Sequence, residues 1–191
     1  MKINLLLMIF TSFLVIGCTG TEIKIKPENT LLDQRVANPY SSVGVRDAST
    51  GKILPAAGNM TEAFSTQIRT SGFSKDVYYP FKPDDKTNIL LESNFNVEFD
   101  AHSGSAFAKS FFTGFTFFIL EPFFWYDFDY KFAGTVDVLK DGKVIKQVSA
   151  ATDATVSVKW LSLSDVATLE GEAIAKAKKS LFNQLLNDIR K

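Results

Sequence analysis

The chain has 191 residues, 46% of them hydrophobic and 13% aromatic, with 21 basic against 21 acidic side chains and one cysteine. A balanced charge gives no global basic field of the kind a nucleic-acid binder uses, and one cysteine rules out an intrachain disulfide framework. The length suits one domain with a proper core.

Residues 1–17 read as a targeting segment. Lys2 is its charged start and Ile3 to Ile16 its apolar core, too short for a comfortable transmembrane helix of about 20 residues. The end of that core, Val15-Ile16-Gly17-Cys18, resembles the lipobox of bacterial lipoproteins. The order is small aliphatic, tolerant position, small residue, cysteine. The resemblance implies cleavage between Gly17 and Cys18, a diacylglyceryl group on the Cys18 thiol and a membrane anchor made of acyl chains. Each buried CH₂ contributes about 0.8 kcal/mol, and two or more chains anchor stably. Thr19 in place of Asp after the cysteine implies, on the enteric pattern, the outer membrane with the domain facing the periplasm. The competing reading is an ordinary secretory leader with an incidental cysteine. Loss of Lys2 with the leader takes the balance to 20 basic against 21 acidic residues, a net −1. Export argues independently against nucleic acid as a partner.

Residues 18–40 are expected to carry the lipidated cysteine and a spacer. Within it Glu22, Lys24 and Lys26 alternate with Ile23 and Ile25 until Pro27, the pattern of a short edge strand. Residues 41–191 are expected to form a single α+β domain. Ser42 to Val45 reads as a short buried strand. Asn59 to Ser71 reads as a helix, with Asn59 as N-cap, Glu62 three residues on, an apolar face of Met60, Ala63, Phe64, Gln67 and Ile68, and Gly72-Phe73 as its terminator. Val77 to Tyr79 is a strand closed by Pro80. Thr87 to Ala101 is a long amphipathic strand with Leu91, Ser93, Phe95, Val97 and Phe99 on one face. Asp127 to Leu139 repeats the alternation with Phe128, Tyr130, Phe132, Gly134, Val136 and Val138. Asp141-Gly142 is a hairpin turn leading into a strand from Val144 to about Val158. Glu170 to Ile189 is a terminal helix with Ile174, Ala177, Leu181, Phe182, Leu185 and Ile189 as its stripe. Lys176, Lys178, Lys179, Asn183, Asn187 and Arg190 are expected mainly outside that stripe. The expected architecture is a mostly antiparallel sheet with both helices packed on one face.

The chemistry of catalysis is sparse. His102 is the sole histidine, so a histidine metal cluster or a nucleophile–histidine pair is restricted to that residue. It follows a strand and precedes Ser103-Gly104-Ser105, which reads as a turn, so it is expected to be a surface residue. Asp127 and Asp129 alternate on one strand face. They are read as the solvated side of an aromatic strand rather than as an acid/base pair or a cation site, and Glu98 and Asp100 likewise. There is no P-loop, no GxGxxG and no HExxH. No enzymatic activity, metal or cofactor is expected.

The unusual stretch is FFTGFTFFILEPFFWY, Phe111 to Tyr126, within an aromatic insertion at 104–126. More than half of the 18 phenylalanines lie between Phe107 and Phe132, and a covered aromatic ring buries about 150–250 Å². Lys109, Glu121 and Pro122 bracket too few apolar residues for a transmembrane helix. Three readings stay open: core of the monomer, a protein interface, or a membrane-resting loop with Trp125, Tyr126 and Tyr130 as its interfacial belt. The contact candidates are Phe111, Phe112, Phe115, Phe117, Phe118, Phe123, Phe124, Trp125 and Tyr126.

The order strand, capped helix ending in SGF, strand, long strands, terminal amphipathic helix resembles small bacterial envelope lipoproteins of the YajG and LpoB type, with an α/β plan like the TolB N-terminal domain. Apart from the lipobox it rests on element order over about Ser42 to Lys191, and the aromatic insertion departs from it. The resemblance implies a lipid-anchored, non-enzymatic accessory or structural module that binds envelope proteins and is able to self-assemble. The alternative is an oligomeric subunit of a CsgG-like or PelC-like export or pore assembly whose aromatic segment contacts the bilayer.

Overall fold

The computed structural model describes residues 20–28, 31–33, 40–51, 54–102, 124–159 and 166–191. Gly17, Cys18 and the six aromatic candidates from Phe111 to Phe123 lie outside the described residues. The described elements are β1 (Thr21–Lys26), β2 (Ser42–Asp47), a 3-10 turn at Pro55–Ala57, α1 (Met60–Thr70), β3 (Asp76–Tyr78), β4 (Ile89–Asp100), β5 (Trp125–Lys140), β6 (Lys143–Lys159) and α2 (Val166–Arg190). The fold is α+β, with a six-stranded sheet in the order β1-β6-β5-β4-β2-β3. By its contacts the chain divides into two compact units. The smaller holds Met1–Lys24, Asp100–Asp129 and Ala154–Ala173; the larger holds Ile25–Phe99, Tyr130–Asp153 and Ile174–Lys191.

In the larger unit α1 is fixed at both ends by its sequence. The Asn59 side chain accepts a hydrogen bond from the Glu62 N–H at 3.0 Å, so the cap forms as expected. At the other end Gly72 takes φ 66°, Gly72 N donates to Arg69 O at 3.2 Å and Phe73 N donates to Ile68 O at 3.1 Å. This is the paired bonding of a Schellman terminator, which needs a residue that tolerates positive φ. Phe73 is fully buried behind the last turn.

The alternation read in β4 holds over most of its length: Ile89, Leu91, Ser93, Phe95 and Val97 are buried. It fails at Phe99, which is 44% exposed although its ring lies 5.0 Å from that of Tyr130. In β5, Tyr130, Phe132, Gly134, Val136 and Val138 are buried as expected. The strand begins at Trp125, so Trp125 and Tyr126 belong to it. Asp141 and Gly142 have φ of 51° and 75°, the pair of positive values that a two-residue hairpin turn demands.

The sheet is mixed. β2 runs parallel to β3, with Val43 opposite Val77, and parallel to β4, with Val45 opposite Leu91. The burial fits this: Val43, Gly44 and Val45 are buried in succession, as in a strand covered on both faces. A Cβ at Gly44 would lie 2.5 Å from the Phe81 ring and 3.2 Å from Leu90 Cδ1, so only glycine admits that cover.

Helix α2 begins at Val166 rather than Glu170. Its stripe starts only at Ala173, and residues 166 to 172 are exposed or half-buried, so apolar spacing gives no sign of its first turns. From there Ile174, Ala177, Leu181, Phe182, Leu185 and Ile189 are buried. The rings of Phe64 in α1, Phe95 in β4 and Phe182 in α2 meet in a triangle with centroid separations of 5.7, 5.3 and 5.6 Å. Each such pair is worth about 0.5–1.5 kcal/mol beyond its buried area. Gly134 of β5 forms the floor of this junction: a Cβ there would sit 2.8 Å from Phe95 Cδ1 and Cε1.

Gly134→Ala is therefore expected to push Phe95 out of the ring junction and to lower stability by about 1–3 kcal/mol, the usual cost of overpacking. Denaturant unfolding checks this through a lower midpoint at an unchanged slope.

Candidate functional site

Two regions gather polar and aromatic groups. The first lies in the smaller unit. His102 sits two residues beyond the end of β4 with φ 45°, and its N–H donates to Asp100 Oδ1 at 2.8 Å. That bond supports a left-handed turn which histidine accepts more readily than most residues. The turn aims the imidazole at β5, where Nε2 meets Asp129 Oδ2 at 2.7 Å. The other Asp129 oxygen accepts from Thr155 Oγ1 of β6 at 2.6 Å. The hydrogen bond to Asp129 raises the pKa of His102 above its ordinary value, opposed by desolvation and aided by the charges of Asp100, Asp129 and Asp127.

The order of the three groups decides what they can do. A nucleophile–base pair needs the hydroxyl on the imidazole and the carboxylate behind it. Here the carboxylate stands between hydroxyl and imidazole, so Thr155 is not activated and the arrangement is a cross-strand clamp. Sequence reading correctly placed His102 at the surface but missed its partner, because the pairing of Asp129 with a residue 27 positions earlier depends on strand register. Among the described residues no group of three or more His, Cys, Asp or Glu is placed to hold a metal ion.

At the start of β5 Trp125 is 37% exposed, with Lys159 Nζ 5.4 Å from the centroid of its ring. Such a cation–π contact contributes about 0.5–1 kcal/mol at an exposed site. The chain entering β1 passes directly over this pair: Lys159 N donates to Gly20 O at 2.9 Å. A Cβ at Gly20 would lie 3.0 Å from Trp125 Cη2 and 3.3 Å from Lys159 Cδ. Of the aromatic contact candidates Phe124, Trp125 and Tyr126 are described, and Phe124 and Tyr126 are half-buried.

The second region lies in the larger unit, along the polar sides of α1 and α2. A groove of about 430 Å³ is lined by Asn59, Glu62, Gln67, Lys178, Lys179 and Phe182, among others. A neighbouring one of about 620 Å³ is lined by Leu31, Leu32, Asp33, Gln67, Ser71, Lys179 and Asn183. Gln67, which lines both, donates from Nε2 to Asn183 Oδ1 at 2.9 Å. Lys178 Nζ donates to Ala57 O, and partial burial lowers its pKa. Expectation and structure part here: Asn183, expected outside the stripe, is 3% exposed, and Lys178 spans from α2 to the 3-10 turn. Asn187 grips the residues before β2 at two points. Its Nδ2 donates to Leu31 O at 2.9 Å and its Oδ1 accepts from Asp33 N at 2.8 Å. Arg190 Nη1 donates to Asp33 O at 2.7 Å, and Ser180 Oγ donates to Pro27 O at 3.2 Å. The described residues of the 18–40 stretch are thus tied to the fold by β1 and by these bonds.

The His102 clamp sets a pH dependence. Because the folded-state pKa is raised, its contribution to stability is complete below the unfolded value of about 6.5 and is lost as pH rises through the folded value. Thermal unfolding across that window is expected to show a downward slope with rising pH that flattens in His102→Gln and in Asp129→Asn. An unchanged slope in both variants would show that the pair does not titrate as described.

No protein-family model and no curated protein sequence matches the chain. Among solved structures it is similar to a dodecamer of PelC from Paraburkholderia phytofirmans, at 12% sequence identity and a TM-score of 0.36, over 85% of this chain and 98% of that one.

Proposed function

We propose that the chain is a lipid-anchored protein of the bacterial envelope, attached through Cys18 to the outer membrane, facing the periplasm and acting as a non-enzymatic binding module for envelope proteins. The observation that supports this most is the position of Gly20. It lies two residues after the sole cysteine of the chain, which itself ends a lipobox-like sequence. It is already bonded into the fold through Lys159 N. A domain so attached sits directly on its anchor.

The non-enzymatic part of the proposal draws on the His102 clamp, in which the imidazole and the Thr155 hydroxyl both engage Asp129, whereas a nucleophile–base pair needs the hydroxyl on the imidazole. The binding part draws on the aromatic stretch. Leu91, Phe95, Tyr130, Phe132, Val136 and Val138, with Phe64, Ile68, Leu181 and Leu185, already supply a buried core. The aromatic composition of Phe111 to Tyr126 is read as apolar supply beyond that core, suited to a protein contact or to self-assembly.

Cys18→Ser is expected to release the protein from the membrane fraction or to leave it unprocessed; unchanged processing and fractionation would count against the anchor. Replacing residues 112–124 by a short Gly/Ser linker in the unlipidated chain is expected to preserve cooperative unfolding and to reduce the native mass to that of a monomer. A ring-sized mass before the replacement would favour an oligomeric export or pore subunit over an accessory module. A variant that recovers only as aggregate would make the stretch core and end the binding proposal.

A further inference from the structure

We infer that the Trp125–Lys159 end of the smaller unit is a membrane-resting foot, and that its occupant is the headgroup layer of the bilayer that carries the anchor. The inference rests on the reading of Cys18 as lipidated and adds the surface with which the domain meets the lipid.

The argument is one of reach. Two residues of fully extended chain span at most about 7 Å, so the Gly20 Cα stays within that distance of the Cys18 Cα. The acyl chains on Cys18 enter the hydrocarbon, which places the Cys18 backbone in the interfacial layer. That layer is about 5–7 Å thick on each side of the bilayer. Gly20 in turn is fixed to the domain: its carbonyl is held by Lys159 N at 2.9 Å. Its missing side chain leaves the backbone flush against the Trp125 ring and the Lys159 stem. The groups carried into the interface are therefore set by the fold.

Those groups have the right chemistry. Trp125, 37% exposed as a residue, carries an amphipathic ring, and tryptophan concentrates at the level of the headgroups. Lys159 lays its stem beside Gly20 and holds its ammonium 5.4 Å from the ring centroid. Lysine in general keeps its stem on apolar surface and its ammonium at the level of the headgroups. The next residues on the same face of β5 bound the depth of contact. Asp127 follows Trp125 by two positions, about 7 Å along the strand. Beyond it lies Asp129 with His102 and Thr155. Carboxylates are disfavoured in an anionic layer, so the foot is one residue pair deep.

The test uses the mature lipidated protein in vesicles of phosphatidylethanolamine and phosphatidylglycerol. The chain has two tryptophans, and Trp160→Phe leaves Trp125 as the sole emitter. Its fluorescence is expected to be quenched more by lipids brominated next to the headgroup than by lipids brominated at the chain ends. Lys159→Glu is expected to weaken that quenching while the protein stays on the vesicles. Intact mass separates the two ways of failing. Lipid present on Cys18 with Trp125 unquenched by either brominated lipid overturns the foot and leaves the anchor standing. Absence of lipid on Cys18 overturns both. Should Trp160→Phe fail to fold, fluorotryptophan labelling resolves both rings in the unaltered protein. Broadening of the Trp125 resonance by a headgroup spin label then supports the foot, and its absence overturns it.

Discussion

The packing of Phe95 on Gly134 is the constraint on which the larger unit depends. Phe95 is fully buried on β4, and the adjacent strand offers a glycine where any side chain would collide with its ring. The ring packs against that glycine and also meets Phe64 and Phe182 edge-on, at 71° and 64°. One residue thus joins two helices to a strand. Truncating a buried phenylalanine to alanine costs about 3–5 kcal/mol, a large part of the about 5–15 kcal/mol that holds a domain together. The capped α1 and the buried stripe of α2 are positioned by this junction, and the polar grooves along those helices follow from it.

A second layer of organisation is polar. The side of α2 that a helical wheel assigns to solvent instead makes specific bonds. Asn183 meets Gln67, Asn187 and Arg190 hold the backbone at Leu31 and Asp33, and Ser180 meets Pro27. Hydrogen bonds of this kind contribute about 0.5–1.5 kcal/mol each. Their greater effect is on geometry, because chain that would otherwise be free tether is fastened at several points. The bond between Gly20 and Lys159 does the same at the edge of the sheet. A proposed lipid at Cys18 would then act on the fold through a connection two residues long.

Much of the fold was legible because its signals are local. Asn59, Gly72 and Phe73 announce the ends of α1, Asp141-Gly142 announces the hairpin and the strand β6 that follows it, and alternation announces β4 and β5. The parts that were not legible depend on tertiary register. The parallel pairing of β2 with β3 goes with the α1 crossover between them, and its pairing with β4 depends on which strands become neighbours, which the run Val43-Gly44-Val45 does not reveal. The first turns of α2 bury no side chain fully before Ala173 and so lack a clear period. Phe99 follows the inward parity of its strand yet stays 44% exposed, since parity alone does not say where the cover of a strand ends. The candidate site shows the same division. The alternation of Asp127 and Asp129 suggested a solvated face, but their relation to His102 needed β4 laid beside β5. The aromatic stretch was conspicuous from composition alone, and of its contact candidates Phe124, Trp125 and Tyr126 fall within the described residues.

The central claim is that Gly20 and β1 are already part of the sheet, so that the proposed lipid on Cys18 would hold the domain against a membrane rather than at the end of a tether. Hydrogen exchange of the mature chain tests this most directly, read at the Lys159 amide that donates to Gly20 and across β1. The account predicts protection at Lys159 and through Thr21–Lys26 comparable to that of the neighbouring β6 amides. Exchange at unprotected rates across Thr21–Lys26, with β6 still protected, would show a free spacer and contradict it.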